Sequence, residues 1–262
     1  MIQLDESQYK MLLNPLQQVD CNTLFVRSVL AGHAGGKVFA DSAYDPTSFY
    51  VIHAYGMSLL FGDADNEQFN NELWDYFIQK TEPRKMDEWL QAFPRTWETQ
   101  LEKLVHNNQA TLYTRLNFSF DKDAYEHNNS LISLDNYTVV PSSVDMYANI
   151  EGSVIPKAFW RDEQQFLQTA ISFTVKVDNE PATTAFAAFV HDGKLEIGIE
   201  TAEKHRGKGL ARIACITLIN YCLANGLEPV WSCRLENTAS VNLAKKLGFR
   251  ETMRLPYYHI PV

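Results

Sequence analysis

The sequence predicts an α/β (α+β) protein of two domains, the first over residues 1–130 and the second over residues 131–262. The chain of 262 residues is long enough for two domains of ordinary size, and 45% hydrophobic residues suffice for their cores. Segments with the two-residue alternation of strands also follow segments with the 3.6-residue period of helices along the chain.

The N-terminal half has the pattern of a helix-rich α/β domain, which we expect to shape a substrate pocket. Ser48 to Phe61 is rich in β-branched and aromatic residues and ends at a Gly-Asp turn, which predicts strands. Asn66 to Ile78 has the spacing of an amphipathic helix, and Leu112 to Phe120 alternates as a strand does. The polar run Asp121 to Ser130 is the expected boundary. The apolar face of the helix would carry Phe69, Leu73, Tyr76 and Phe77.

The C-terminal half alternates strands and helices in a more regular order. The turn residues Asp178 to Pro181 predict a hairpin between two strands, and Asn225-Gly226 predicts the end of a long helix. We see no internal repeat. The predicted strands are Tyr137–Val140, Ile171–Val177, Thr183–Val190, Leu195–Thr201, Val230–Arg234 and Phe249–Ile260, and the predicted helices are Val144–Ile150, Phe159–Ala170, Gly209–Ala224 and Thr238–Leu247.

Composition excludes several functional classes. The formal net charge of −9 disfavours a nucleic-acid partner, and it is compatible with an amine-bearing substrate. The four cysteines have neither C-x-x-C spacing nor histidines at metal-site spacing, so we expect no metal. The first residues lack the basic and apolar regions of a secretory signal, and every apolar run is too short to span a bilayer. We therefore expect a reduced, cytoplasmic protein without a membrane partner.

One strand-to-helix turn has the features of an anion site. The predicted strand from Leu195 runs into Arg206-Gly207-Lys208-Gly209, which opens the long helix. Unpaired backbone N–H groups and the helix dipole attract anions at such a position. The glycines would let the backbone approach a pyrophosphate closely, and Arg206, Lys208 and Arg212 could supply positive charge. The spacing fits neither a nucleotide P-loop nor a Rossmann turn, so from these residues alone an ordinary loop is the alternative.

The motif Arg206-x-x-Gly209-x-Ala211 resembles the (Gln/Arg)-x-x-Gly-x-(Gly/Ala) signature of the GNAT superfamily of N-acetyltransferases. A second block, Asn237 to Phe249, resembles the later helix of that family, which begins at an asparagine and closes with Lys-x-Gly-Phe. The resemblance implies a GNAT fold in the C-terminal half, with a mixed central sheet flanked by helices. It also implies acetyl-CoA (coenzyme A) as the acetyl donor.

The same resemblance assigns cofactor-binding residues. The strand end at Ile199, Glu200 and Thr201 would hold the pantetheine through backbone hydrogen bonds, and Asn237 would contact the cofactor arm. A simple helix cap is the alternative role for Asn237. The pyrophosphate would lie against the backbone of Arg206, Gly207, Lys208, Gly209, Leu210 and Ala211.

Over nearly the whole chain, the sequence is similar to the zwittermicin A resistance-type acetyltransferases. The residues that carry this similarity are Glu196 to Thr201, Tyr221 to Pro229 and Trp231 to Cys233. The first half fits more loosely, so the similarity transfers the cofactor site and leaves the substrate open.

Two carboxylates are candidates for the catalytic base that removes a proton from the acceptor amine. Glu196 and Glu200 fall on one face of the strand if alternation holds, and Glu196 lies farther from the expected cofactor. Either could instead be a surface carboxylate.

The tyrosine that serves as general acid in GNAT enzymes would fall at Ala244, so this chain departs from the family there. Either the step does without an acid, or another group supplies it. Tyr257 is our candidate, with Tyr258, His259 and Ser240 as alternatives. Both tyrosines could equally be core aromatics. His191 and His205 are expected to lie on turns.

The sequence therefore predicts an acyltransferase that moves an acetyl group from acetyl-CoA to an amine, with a small molecule as the expected acceptor. A protein amine acetyltransferase and a non-catalytic acyl-CoA-binding module are the alternatives. The first half could be a degenerate copy of the same fold, although its turns carry no matching signature. The oligomeric state is open.

Overall fold

The computed structural model describes residues 1–80, 83–134 and 137–262, with side chains for all of these except 144–146. It divides into two compact units. Unit 1 comprises Met1–Leu116, Arg234–Glu236 and Met253–Val262, and unit 2 comprises Asn117–Cys233 and Asn237–Thr252. The predicted domains, residues 1–130 and 131–262, stay a prediction.

Unit 1 begins with a two-residue strand and a 3-10 helix, Glu6–Leu12. Its strands are β1 (Ile2–Gln3), β2 (Gly36–Ala40), β3 (Ser48–His53), β4 (Met57–Gly62), β5 (Glu88–Phe93) and the first part of β6 (Thr111–Phe120). Its helices are α1 (Leu13–Gln17), α2 (Leu24–Leu30), α3 (Glu67–Phe77) and α4 (Trp97–His106).

Strands β1 to β4 of unit 1 pair antiparallel in chain order, and β5 pairs parallel to β4 after the crossover through α3. Helix α3 begins where the side chain of Asn66 accepts a hydrogen bond from the Phe69 amide at 3.0 Å. Phe69, Leu73 and Phe77 are buried in the core, and Tyr76 packs against that core. The predicted amphipathic helix is confirmed.

Unit 2 starts with the rest of β6 and ends with the first part of β12. Its other strands are β7 (Thr138–Pro141), β8 (Ser172–Val177), β9 (Glu180–His191), β10 (Lys194–Thr201) and β11 (Glu228–Arg234), and the last strand is β12 (Phe249–Ile260). Its helices are α5 (Lys122–Asn129), α6 (Val144–Asn149), α7 (Pro156–Phe159), α8 (Glu163–Thr169), α9 (Leu210–Ala224) and α10 (Thr238–Lys246).

Strands β7 to β10 of unit 2 pair antiparallel in chain order, and β11 pairs parallel to β10 after the crossover through α9. Tight turns connect β8 to β9 and β9 to β10, as the sequence predicts. Asp178 and Asn179 in the first turn, and Asp192 and Gly193 in the second, all have positive φ. Two consecutive residues with positive φ give the twist that two-residue hairpins need.

Two predicted segments differ from the structure. The polar run Asp121 to Ser130 forms helix α5, because the Asp121 side chain accepts from the Ala124 amide at 2.8 Å and caps it. The predicted helix Phe159 to Ala170 is two helices, since Asp162 adopts an extended conformation and caps α8 through the Gln165 amide at 2.8 Å.

The two units repeat one order of elements. Each has a first strand, then helices, then three more antiparallel strands, a crossover helix, a parallel fifth strand, a further helix and a last strand. This corrects the expectation of no internal repeat. The repeat is visible in pairing and element order, which tolerate wide sequence change as long as the apolar pattern is kept.

Candidate active site

The parallel pair formed by β10 and β11 opens partway along its length. Within the described ranges, this pairing covers three residues and ends at Glu196 opposite Val230. Strand β10 stays paired with β9 on its other side as far as Thr201. The last five residues of β10 therefore have one edge from which β11 has departed, and an extended ligand could pair with that edge.

Ile199 directs its backbone into this opening. The amide of Ala202, just after β10, donates to the carbonyl of Ala182 in β9 at 3.0 Å. Antiparallel partners alternate between bonded and non-bonded pairs, so Glu200 also bonds toward β9, whereas Ile199 and Thr201 face away from it. Ile199 thus has the geometry expected of a pantetheine-binding residue.

The backbone of Thr201 is hydrogen-bonded within the protein. Its amide donates to Glu200 Oε1 at 3.1 Å, and its carbonyl accepts from Arg206 Nε at 3.1 Å. Ile199 and Thr201 both face the opening, and Ile199 is the one without the bonds to Glu200 and Arg206 that occupy the backbone of Thr201.

The turn before α9 forms a cradle of backbone amides. Gly207 and Gly209 have φ of 76° and 78°, and a Cβ added at either would meet nothing within 4 Å. Among the described residues no side chain caps α9 at Gly209, and its first turn carries no acidic residue. The amides of Leu210 and Ala211 have no partner within the helix by position, so they and the helix dipole are available to an anion.

The three basic residues of this region have different roles. Lys208 is exposed beside the turn. Arg206 folds back, with Nη2 3.4 Å from Glu200 Oε1 and Nε on the Thr201 carbonyl. Arg212 donates to the Asn128 carbonyl at 2.7 Å and to Asn129 Oδ1 at 3.0 Å, which commits it to α5. These acceptors are neutral, so Arg212 keeps its charge at the start of α9, and the expectation that it supplies positive charge to the turn stays a prediction.

The carboxylate of Glu200 ties together two segments of unit 2. Its Oε2 accepts from the amides of Ser153 and Val154, each at 3.0 Å, and its side chain is 10% exposed. A Cβ added at Gly152 would lie 2.4 Å from the Glu200 carboxyl carbon, so only glycine allows this approach. The sequence analysis missed residues 152–154, because partners 46 and 47 residues apart leave no local pattern.

A cavity of about 700 Å³ lies at this end of β10. The segment after α6, the turn region between β8 and β9, and the end of β10 line it. Glu200, Thr201 and Arg206 contribute to its wall, together with Lys176 and Thr183. Glu200 thus fixes a segment that helps to shape a cavity beside the cradle.

Glu196 is 5% exposed and lies at the last position where β10 pairs with β11. A bulge interrupts the pairing with β9 between Glu196 and Ile197, and the extra residue is Ala188 on β9. Strand β10 therefore keeps its two-residue alternation, which places Glu196 and Glu200 on one face. Glu196 remains a candidate base in a buried position, whereas the Glu200 carboxylate is occupied by backbone amides and Arg206.

The start of α10 is held by its own residues. Asn237 Oδ1 accepts from the Ser240 amide at 3.1 Å, so the helix-cap role of Asn237 is present. Ser240 Oγ in turn accepts from the Trp231 indole N–H at 3.2 Å. Ala244 is fully buried, and it supplies no acidic group where the resemblance expects a tyrosine.

The tyrosine candidates belong to unit 1, whereas the predicted cofactor residues belong to unit 2. Tyr257 is buried beside Trp89, with ring centroids 5.3 Å apart, and the Arg115 guanidinium lies over its ring. Tyr258 lies in the core of unit 1, and burial raises its pKa to about 12. Tyr258 therefore has the alternative role considered for it, that of an aromatic residue in the core.

The three histidines considered in the sequence analysis lie on a strand, in a 3-10 helix and at a strand end. His259 Nε2 is 2.8 Å from Asp87 Oδ2. His205 is buried at 7% exposure in the 3-10 helix Glu203–His205, and His191 ends β9.

Over residues 1–80 and 83–116, unit 1 shows neither an opened parallel pair nor an uncharged glycine turn. Its parallel pair, β4 and β5, stays in register over five residue pairs to the end of β5. The turn after β4 carries Asp63, Asp65 and Glu67, which would repel an anion at the start of α3. The cofactor geometry is thus a property of unit 2.

Comparison with known proteins identifies the class to which this fold belongs. The sequence model of the GNAT acetyltransferase family matches residues 14–258, so the chain belongs to that family. N-acetyltransferase YdfB of Bacillus subtilis (strain 168), described as uncharacterized, is 25% identical over 257 residues, which are 98% of this chain and 97% of that protein.

Solved structures confirm the predicted fold class. A GCN5-related N-acetyltransferase-like protein from Streptococcus suis 89/1591 superposes with a TM-score of 0.73 at 20% identity, covering 97% of this chain and 98% of that chain. A tandem GNAT protein from the clavulanic acid biosynthesis pathway gives a TM-score of 0.65 at 9% identity, covering 98% of this chain and 95% of that chain. Among the described residues, no helix has the length and apolarity to cross a membrane.

Proposed function

We propose that this GNAT acetyltransferase transfers the acetyl group of acetyl-CoA to an amine of a small molecule. The observation that carries the proposal is the opening between β10 and β11 directly before the glycine cradle of α9. Ile199 would hold the pantetheine, the backbone from Arg206 to Ala211 the pyrophosphate, and Asn237 would contact the cofactor arm. A guest of this shape needs both an extended edge and an anion site, and β10 leads from one to the other.

Acetyl-CoA supplies the activated acetyl thioester, and the chain's own residues position and deprotonate the amine. We assign the base to Glu196, which is buried and lies farther from the proposed cofactor position than Glu200. The Glu200 carboxylate accepts from three backbone amides. Backbone N–H groups at the open end of β10 would stabilise the oxyanion that forms when the amine attacks the thioester. Tyr257 stays our proposed acid for the departing thiolate, a group that also leaves acceptably without one.

The acceptor is proposed to be a small amine, in keeping with a negative net charge of −9 and with the likeness to zwittermicin A resistance-type acetyltransferases. The cavity of about 700 Å³ beside Glu200 has the size of a small-molecule pocket. A cytoplasmic location is part of the proposal, because acetyl-CoA is a cytoplasmic metabolite and all four cysteines are buried free thiols.

The test is calorimetric titration of acetyl-CoA into the wild type, Gly209→Trp and Gly193→Trp. Gly193 is a matched control, since it also has positive φ and open space at its Cβ, but lies in the turn between β9 and β10. We expect binding to the wild type and the control, and none to Gly209→Trp. Equal binding by all three variants would contradict the site, and binding without acetylation across an amine panel would favour the non-catalytic module.

A further inference from the structure

A cavity of about 670 Å³ lies within unit 1, between helices α3 and α4. Buried side chains of the unit 1 core contribute to its lining, among them Leu60 and Leu101. We call it the α3–α4 cavity. All of its lining residues belong to unit 1, so it is separate from the proposed cofactor site of unit 2. Its polar and aromatic lining comes from the turn before α3, from α3 and from α4, and includes Asp65, Glu67, Asn70, Trp74, Gln100 and Lys103.

The position of the α3–α4 cavity in the order of elements gives it a definite charge preference. In each unit a strand leads into a crossover helix, which a parallel strand and a further helix follow. In unit 2 the crossover helix α9 starts at Gly209 without an acidic residue in its first turn, which suits an anion. In unit 1 the start of the crossover helix α3 carries Asp65 and Glu67 instead. The α3–α4 cavity therefore favours a ligand of positive charge.

The two carboxylates of the α3–α4 cavity have no basic partner within the described ranges. The side chains of Asp65 and Glu67 make neither an ion pair nor a hydrogen bond there, and both are exposed. Lys103 of α4 is the basic residue of the lining, and its Nζ lies 3.5 Å from Gln100 Oε1 rather than at either carboxylate. The negative charge at the start of α3 is thus left for a cation from outside the chain.

Two further residues of the α3–α4 cavity suit an organic ammonium ion. Asn70 Nδ2 donates to the Ala64 carbonyl at 2.8 Å, whereas its buried Oδ1 accepts no hydrogen bond from the residues that the structure describes. An N–H donor brought into the cavity would satisfy this oxygen. Trp74 is half-buried, and the face of an indole ring attracts cations. A metal ion fits less well, because no three His, Cys, Asp or Glu side chains in the described part of the chain are grouped as metal ligands.

We propose that the α3–α4 cavity binds a small organic cation, a primary ammonium group on an apolar body. The ammonium would lie beside Asp65 and Glu67 and donate to Asn70 Oδ1, and the apolar body would lie against Trp74. This binding site is additional to the proposed acetyl transfer in unit 2 and stands independently of it. Unit 1 would thus bind a cation at the place in its fold where unit 2 presents an anion cradle.

The experiment compares three probes of similar size and different charge: phenethylamine, which is a cation at neutral pH, the neutral 2-phenylethanol and the anionic 3-phenylpropionate. Calorimetric titration without acetyl-CoA uses the wild type, the double variant Asp65→Asn/Glu67→Gln, Lys103→Gln and the control Glu102→Gln. Glu102 is the exposed neighbour of Lys103 on α4 and lies outside the cavity lining. Glu196→Gln is included to detect an amine that binds as an acceptor in unit 2, and thermal unfolding checks that each variant is folded.

We expect phenethylamine to bind the wild type at least about tenfold more tightly than 2-phenylethanol, and 3-phenylpropionate not to bind. The double variant should weaken phenethylamine binding about tenfold, and Lys103→Gln should strengthen it about threefold, because one change removes attraction and the other repulsion. Glu102→Gln and Glu196→Gln should match the wild type. No phenethylamine binding, equal binding of the amine and the alcohol, an unchanged affinity in the double variant, weaker binding by Lys103→Gln, or binding that only Glu196→Gln removes would overturn the proposal.

Discussion

Replacing Glu200 with glutamine should weaken the protein more than it slows the chemical step. The carboxylate accepts from the amides of Ser153, Val154 and Thr201 and pairs with Arg206. Glutamine has one oxygen and one N–H₂ group in place of the two carboxylate oxygens. The donors that bond one of those oxygens would therefore face the N–H₂ group, which cannot accept from them. Hydrogen bonds to charged groups contribute about 1.5–3 kcal/mol each, and the Ser153 amide is exposed, so we estimate a loss of about 2 kcal/mol. That corresponds to about 4–8 °C in Tm.

The assay combines thermal unfolding, acetyl-CoA calorimetry and steady-state kinetics for Glu200→Gln, Glu196→Gln and the exposed neighbour Glu203→Gln. Glu200→Gln should lower Tm and raise KM, whereas Glu196→Gln should keep acetyl-CoA binding and lower kcat by about 10²- to 10⁴-fold. Glu203→Gln should match the wild type. If Glu200→Gln left Tm unchanged and abolished turnover while Glu196→Gln stayed active, Glu200 would be the base and our reasoning would fail.

Three further predictions follow from buried groups and one tight turn. Gly248→Ala should lower the free energy of unfolding in urea by at least about 3 kcal/mol, against about 1 kcal/mol for the control Gly193→Ala. Both glycines have positive φ, but only at Gly248 would a Cβ meet backbone, 2.5 Å from the Tyr125 amide nitrogen. Equal losses in the two variants would refute the contact. Tyr257→Phe should lower kcat by about tenfold or more and remove the alkaline limb of the pH–rate profile if Tyr257 is the acid, and an unchanged profile would exclude it. Burial raises the pKa of Glu88 above its ordinary value of 4.5, so its contribution to stability is complete below pH 4.5 and is lost as pH rises through the folded-state pKa. Glu88→Gln should lack that loss as pH rises above 4.5, and a stability curve parallel to that of the wild type would contradict this.

The sequence predicted the elements that have local causes. Asn66, Asn237 and the Asp178-Asn179 turn each act within four residues, through a cap or a positive φ, and a local pattern is enough to find them. The cradle before α9 was found for the same reason, because Gly207 and Gly209 are conspicuous in one short turn.

Contacts between distant segments could not be predicted from local pattern. Glu200 meets Ser153 and Val154 across 47 and 46 residues, and Arg212 meets Asn129 across 83. A carboxylate on a strand and an arginine in the first turn of a helix look the same whether they face a cofactor or a neighbouring segment. Geometry decides that Arg212 holds α5 and that Glu200 holds the segment after α6.

The two units show why a repeated fold need not repeat a site, since the proposed cofactor site lies in unit 2 and the described residues of unit 1 lack its features. Pairing in a parallel sheet requires only apolar residues on compatible faces, and β4 and β5 satisfy that over five pairs. A cofactor cleft requires the opposite, an interrupted pairing together with glycines at positive φ and no acidic residue at the helix start. In unit 1, Asp63, Asp65 and Glu67 place acidic residues at the helix start, and the pairing of β4 with β5 is not interrupted. The fold can therefore persist where the site is absent, and restoring glycines to the turn after β4 alone should not create acetyl-CoA binding in unit 1.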